Sequence, residues 1–285
     1  MHFPVSGVEC PFWLPVLVAF LIALLTTPAG VSGAFLLLPF QMSVLGFISP
    51  AVTPTNLIYN VVSTPGGVAR YIREHCLVWP LAWTIALGTL PGVFLGAVIR
   101  IRYLPEPRHA KVFVGCVLLY LGTRLLLSRR SPELSAPAAG SATFECEGKR
   151  YSFRPGVLAA VSVAVGIIGG IYGIGGGAMI APFLMSVLGL PARVAAGAAL
   201  FGTLLTSIAG IAIFETLDRV RFSMGAAVRP DWLLGVLFGV GGLAGSYCGA
   251  RLQKHLPERW IRLFLGCLVV GLGLNYAAQL LNGGK

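Results

Sequence analysis

The sequence predicts an all-α polytopic membrane protein. It is built from two homologous inverted repeats of about five hydrophobic segments each, with short helices broken by glycine and proline. Three observations predict this. First, 56% of the 285 residues are hydrophobic and 11% are charged, where a soluble domain has about a quarter charged. The charges are also segregated. No Asp, Glu, Lys or Arg occurs between Glu9 and Arg70, Arg154 and Arg193, or Asp231 and Arg251. Second, the halves match at an offset of 143. Gly30, Gly33, Pro39 and Phe40 recur as Gly173, Gly176, Pro182 and Phe183, and Met42–Gly46 recurs unchanged as Met185–Gly189. Third, glycines and a proline sit inside very apolar stretches, "AGVSGAFLLLPFQMSVLGF" (Ala29–Phe47) and "GIYGIGGGAMIAPFLMSVLGL" (Gly170–Leu190).

A crossing helix needs about 20 mostly apolar residues. The first half offers segments at roughly 12–28, 31–48, 51–70, 78–99 and 110–127. The first, "FWLPVLVAFLIALL", has no basic leader and no small-residue cleavage site, so it is expected to remain in the chain. The second is short and carries Pro39; a short helix over Ala34–Phe47 is expected after a glycine-rich approach. The third bears the polar run "TPTNLIYNVVST". The fourth holds Gly92 and Gly96, spaced for a close helix crossing. The fifth reads "KVFVGCVLLYLG".

The second half follows the same order at roughly 156–171, 174–190, 194–214, 232–250 and 260–281. Its short helix is expected over Ala178–Leu190. "GTLLTS" supplies hydroxyls in its third segment, Gly245 and Gly249 answer Gly92 and Gly96, and "RLFLGCLVVGLG" answers the fifth. An odd number of segments per repeat turns the second half upside down, the plan of many secondary transporters. The expected divisions are a first membrane repeat at 1–127, a solvated linker at 128–154 and a second membrane repeat at 155–285. The linker is rich in Ser, Ala, Pro and Gly and is expected to be partly disordered.

Charge and chemistry exclude several classes. A β-barrel would alternate polar and apolar residues over segments of about 10, and these runs do not. The net charge of +11 reads as basic loops meeting lipid headgroups, not as nucleic acid binding. Their distribution favours both termini outside. All ten acidic residues and all four histidines fall in loops or at span ends. That leaves no converging metal ligands and no carboxylate deep in the membrane for a cation carrier. Six cysteines show no CxxC pattern, and Cys116 and Cys267 read as small apolar residues. The glycine spacing around Gly170–Gly177 lacks the strand and βαβ unit that dinucleotide binding needs. No base–nucleophile pair is present, so no catalytic residue, cofactor or metal is expected, and the protein is not read as an enzyme.

What remains points to a small anion. Lipid leaves a free N–H or C=O unsatisfied, so irregular backbone at membrane depth must lie inside protein or along a wet cavity. A helix N-terminus carries about half a positive charge and unpaired N–H groups. Two such ends meeting near the midplane would hold an anion without a cationic side chain. The expected substrate-binding residues are Gly30, Ser32, Gly33, Asn56, Tyr59, Asn60, Gly175, Gly176, Gly177, Thr203, Thr206 and Ser207. Asn60 and Thr203 are equivalent under the repeat. Neutral donors of this kind suit an anion that must also leave.

The stretch "GGIYGIGGGAMIAPFLMSVLGLPARVAAGAALFGTLLTSIAGIAIF" (Gly169–Phe214) resembles the sulfite exporter (TauE/SafE-like, toluene-sulfonate uptake permease) membrane transporter family. The likeness rests on the glycine-rich approach, the proline-containing short helix, the "LGLP" turn and the Ala/Gly/Thr-Ser helix. The first half carries the same frame with "GVSGA" for the triple glycine and "TPTNLIYN" for "AAGAALFG". The resemblance implies transport of sulfite, organosulfonates or related small sulfur-containing or organic anions by alternating access, in a bacterial cell (inner) membrane. The alternatives are an anion channel, a sulfur-relay importer using Cys116, Cys248 or Cys267, and a non-transporting assembly subunit. The expected partners are the small anionic substrate and membrane lipids, with a homodimer as the candidate assembly and no nucleic acid.

Overall fold

An uninterrupted apolar run forms the first helix, α1 (Trp13–Thr26), and the Thr27-Pro28 pair ends it. One 3-10 turn (Thr27–Ala29) follows, closed by Gly30 in the left-handed region at φ +73°. Then come α2 (Ala34–Ser43), α3 (Val52–Arg73) and α4 (Trp79–Arg102). The second half repeats the order: α5 (Pro155–Tyr172), capped by Gly173 at φ +69°, then α6 (Ile180–Ser186), α7 (Ala192–Arg219) and α8 (Trp232–Gln253). This computed structural model describes residues 1–47, 49, 51–102, 142–146, 149–177, 179–219 and 229–257, with isolated positions within 119–127 and 259–278. The expected fifth and tenth segments lie outside the described residues except at those positions.

The two short helices differ from the sequence expectation. The short helices stop before Phe47 and Leu190. Gly46 (φ +69°) and Gly189 (φ +62°) turn left-handed. The Phe47 amide then donates to the Gln41 carbonyl (2.9 Å), and the Leu190 amide to the Leu184 carbonyl (3.1 Å). Each bond closes a turn of seven residues, one longer than the six-to-one closure of a Schellman cap, around a left-handed glycine. Within the expected linker, residues 142–146 and 149–153 form two strands. Strands β1 (Ala142–Cys146) and β2 (Lys149–Phe153) pair antiparallel, with Phe144 opposite Tyr151. Those rings stack at 5.6 Å, the kind of cross-strand aromatic pair that stabilises a hairpin.

Glycines set how the long helices meet. On α4, a Cβ on Gly88, Gly92 or Gly96 would strike the carbonyls of Ala159, Val163 and Ile167 on α5 in turn. On α8, a Cβ on Gly241, Gly245 or Gly249 would strike those of Val16, Phe20 and Leu24 on α1. Shifting Val16, Phe20 and Leu24 by 143 gives Ala159, Val163 and Ile167, so the two crossings use equivalent backbone. Each half thus packs its first helix on the other half's fourth. The glycines expected to serve close crossings do so, with backbone against backbone.

The same contacts give direction. Along α8, Gly235 meets Ile58, Gly239 meets Val62 and Gly242 meets Ser63, so α3 and α8 run parallel. Along α7, Gly202 meets Ile85 and Gly210 meets Val93, so α4 and α7 run parallel. Gly67 meets Leu200 while Gly210 meets Leu57, so α3 and α7 run antiparallel. Helices α1, α3 and α8 therefore start on one face, and α4, α5 and α7 on the other.

Helices α4, α7 and α8 are long and apolar enough to cross a membrane. Outward side chains such as Leu17, Leu21 and Leu25 on α1 and Leu87, Phe94 and Leu95 on α4 are exposed and apolar. Helix α3, the most polar, is buried along nearly its whole length. The arrangement is a polar helix sheathed by apolar ones, as a lipid environment demands.

Candidate functional site

Asn60 lies in the middle of α3 and joins the two glycine loops. Its Oδ1 accepts a hydrogen bond from the Ser32 hydroxyl in the first loop. Its Nδ2 donates to the Ile174 carbonyl in the second, at 3.0 Å. The Ser32 oxygen also accepts from the Ala34 amide at the start of α2 (3.2 Å). One α3 side chain therefore fixes both loops, one from each half.

The second loop presses against α7. A Cβ on Gly175 (φ +78°) would lie 2.8 Å from Thr203 Cγ2, 3.0 Å from Ser207 Oγ and 3.3 Å from Asn60 Nδ2. The Gly176 amide donates to Thr206 Oγ1 at 3.1 Å. Gly177 has no room for a side chain beside Ala199 and Thr203. Only glycine allows this approach, and Gly175 also needs its left-handed backbone. The Thr203 and Thr206 hydroxyls donate to their own helix, to Ala199 O (2.9 Å) and Gly202 O (2.7 Å).

All twelve sequence-expected site residues are buried. Ser32, Asn60, Gly175, Gly176, Gly177, Thr203, Thr206 and Ser207 form one cluster. Gly33 fits under Tyr59, where a Cβ would strike the phenol oxygen. Asn56, one turn before Asn60, donates from Nδ2 to the Ala34 carbonyl at 3.1 Å. Gly30 stands apart from the cluster and packs on Ala196 and Ala181. The first loop and α3 thus give hydroxyl, phenol and amide groups, and the second loop and α7 give backbone and hydroxyls.

Several of these groups are buried without a partner. Ser207 Oγ and Asn56 Oδ1 make no hydrogen bond, and Tyr59 Oη lies near Ser63 without a well-aligned one. A buried polar group left unsatisfied costs about 1–3 kcal/mol. The cluster is closed around uncommitted donors and an uncommitted acceptor. No ionised side chain is part of it. Sequence reasoning missed Thr89, which packs on Gly176 (Thr89 Cβ 2.8 Å from a would-be Cβ). It also missed Gln41, whose buried amide has no partner at either end. The signal for Thr89 was its place between Gly88 and Gly92 on the crossing face of α4; Gln41 carried none.

Apolar helices around a buried polar cluster, with glycine loops reaching it from both halves, define a helical membrane transport protein. The relatives agree. The chain is 26% identical over 269 residues to "Probable membrane transporter protein y4hK" of Sinorhizobium fredii, covering 90% of this chain and 94% of that one. It is 23% identical over 259 residues to "Probable membrane transporter protein YunE" of Bacillus subtilis, covering 86% and 92%. A "Probable membrane transporter protein" of Xylella fastidiosa is 26% identical over 268 residues, covering 90% of each chain. The model of the family described as Sulfite exporter TauE/SafE matches residues 15–276. The chain belongs to that family and is an integral membrane protein. No solved structure matches it.

Proposed function

We propose that the protein carries a small sulfur-containing anion, sulfite or an organosulfonate, across the membrane by alternating access. The observation that carries this reading is the Asn60 junction between the two glycine loops, with the Ser207 hydroxyl, a free donor, left unsatisfied beside it. A tetrahedral or pyramidal oxyanion accepts hydrogen bonds at several oxygens, and the cluster offers hydroxyl, amide and backbone donors. Neutral donors hold it less tightly than a cation would, which permits release.

The two halves act as inverted repeats. Equivalent glycine crossings of α4 on α5 and α8 on α1, and the opposite directions of α3 and α7, support this. Complete burial of the twelve residues favours an occluded carrier over a continuous anion pore. A sulfur relay gains no support, because Cys248 and Cys267 lie on the exposed surface; Cys116 is outside the described residues. The face bearing Arg70, Arg73, Arg193, Arg251 and Lys254 faces the cytoplasm by the positive-inside rule. Liposomes holding the purified protein are expected to pass sulfite or an organosulfonate faster than empty ones. Equal rates across a panel of sulfur anions would defeat the proposal.

A further inference from the structure

The basic face carries an ionic cluster that the transport site does not use. Glu74, at the C-terminal end of α3, accepts from the Arg70 Nη2 one turn earlier. Its other carboxylate oxygen accepts from Arg193 Nη2 in the first turn of α7, at 3.3 Å. The three side chains are 13–31% exposed, enough to meet solvent ions while shielded from free hydration. Arg70 also lies over the Tyr247 ring of α8, 5.8 Å from its centre.

Two features argue that this cluster is more than a helix staple. Glu74 sits at the negative end of the α3 dipole, and Arg193 at the positive end of α7, so each is disfavoured on its own helix. Arg70 pairs with Glu74 along α3, and Arg193 pairs with Glu74 across the contact between the halves. The three positions are not ionic at their repeat-equivalent places, although an Arg229–Asp218 pair lies on that face. Shifted by 143, Arg70 and Glu74 become Ile213 and Leu217, and Arg193 becomes Pro50. Ile213 and Leu217 belong instead to an apolar cluster around Leu57, Ala97 and Phe214. The repeat therefore does not impose an ionic set at this place in both halves.

Tyr71, between Arg70 and Glu74, donates its hydroxyl to the Thr27 carbonyl at 3.3 Å. Gly197, one turn after Arg193, packs on the Tyr71 ring, 3.4 Å from a would-be Cβ to Tyr71 Cβ. Thr27 begins the turn that leads through Gly30 to Ser32 and the Asn60 junction. The cluster stands where the basic face meets the first glycine loop.

We infer that Arg70 and Arg193 form an outer binding site for the anion, and that Glu74 is its internal competitor. With no anion bound, the Glu74 carboxylate occupies both guanidiniums and holds the α3–α7 contact closed on this face. A sulfonate or sulfite oxyanion takes its place, releases the contact and moves inward toward the Asn60 cluster. Guanidinium suits the role because its planar fork matches a multi-oxygen anion. This rests on the anion-transport reading above and assigns the recognition step to the basic face.

The test uses the full chain in two assays. Organosulfonate flux into liposomes is measured as initial rate against concentration for the native protein, Glu74→Gln and Arg70→Gln/Arg193→Gln. Expected are a KM about threefold lower for Glu74→Gln, and about tenfold higher for the double arginine variant with little change in maximal rate. In parallel, Cys76 is labelled with a maleimide after the other cysteines are replaced. Its Sγ lies 3.3 Å from the Glu74 carbonyl oxygen, and its burial makes it a reporter of opening. Organosulfonate is expected to speed labelling of the native cluster and not of the double arginine variant. Normal flux with unchanged KM in both variants overturns the inference and leaves the transport reading intact. Anion-dependent labelling without flux of any sulfur anion supports the outer site and overturns the transport reading. No anion effect on labelling overturns the inference.

Discussion

Both ends of the Asn60 amide are committed to glycine loops from different halves, and nothing else in the cluster reaches both. Replacing it with Ala leaves the Ser32 hydroxyl without its Asn60 acceptor and the Ile174 carbonyl unpaired, at about 1–3 kcal/mol for each unsatisfied group. Asn60→Ala is therefore expected to lower the thermal unfolding temperature in detergent and to abolish flux. Ser207 gives the opposite stability result. Its buried hydroxyl has no partner, so Ser207→Ala removes an unsatisfied group and is expected to hold or raise the unfolding temperature. If that hydroxyl meets the anion, the same variant raises KM by about threefold or more. A destabilised Ser207→Ala protein with unchanged KM would contradict both parts. The polar residues at this scale were legible, because asparagines and hydroxyls in an uncharged run stand out. Their pairing was not: Ser32 and Asn60 are 28 residues apart, and Asn60 and Ile174 are 114 apart. Periodicity gives a residue's face, not its partner.

At the scale of elements, the crossings of α4 on α5 and α8 on α1 depend on glycine at fixed intervals. A Cβ on Gly92 or Gly245 would meet backbone carbonyls of Val163 or Phe20, which cannot rotate aside. Gly92→Ala and Gly245→Ala are each expected to cost about 1–3 kcal/mol, near the upper end because backbone must separate. The check is folded yield in detergent by size-exclusion chromatography. Gly156→Ala is the control. It lies in the first turn of α5, where a Cβ meets nothing within 4 Å, so alanine is expected to be neutral or mildly stabilising. Equal yields for all three would show that these crossings tolerate separation. The segments and the glycine pairs could be read directly from hydropathy and spacing. The early ends of α2 and α6 could not, since the apolar pattern continues through Val44–Phe47 while Gly46 turns the backbone. The pairing of β1 with β2 was hidden by a surrounding composition typical of linkers.

For the whole molecule, the exchange of partners between halves is the governing fact. Helix α1 packs on α8 and α5 on α4, so each half lacks the neighbour that covers its first helix. Helix α3 is also sheathed by α7 and α8 from the other half. Its buried Thr55, Asn60 and Ser63 meet Asp231, Ile174 and Gly242 of the second half and would lose that cover if it were missing. A polar group turned toward hydrocarbon costs several kcal/mol, and α3 has at least these three. Residues 1–136 expressed alone are therefore expected to be degraded or to aggregate, and residues 137–285 likewise. Produced together, the two pieces are expected to associate and restore organosulfonate flux, because the break falls in "SAPAAGS" and outside every crossing between the halves among the described residues. Association then supplies both swapped helix pairs and the Asn60 junction at once. Flux from either piece alone would mean that one half holds a complete path, and the shared cluster on α3 and α7 would not be the site of transport.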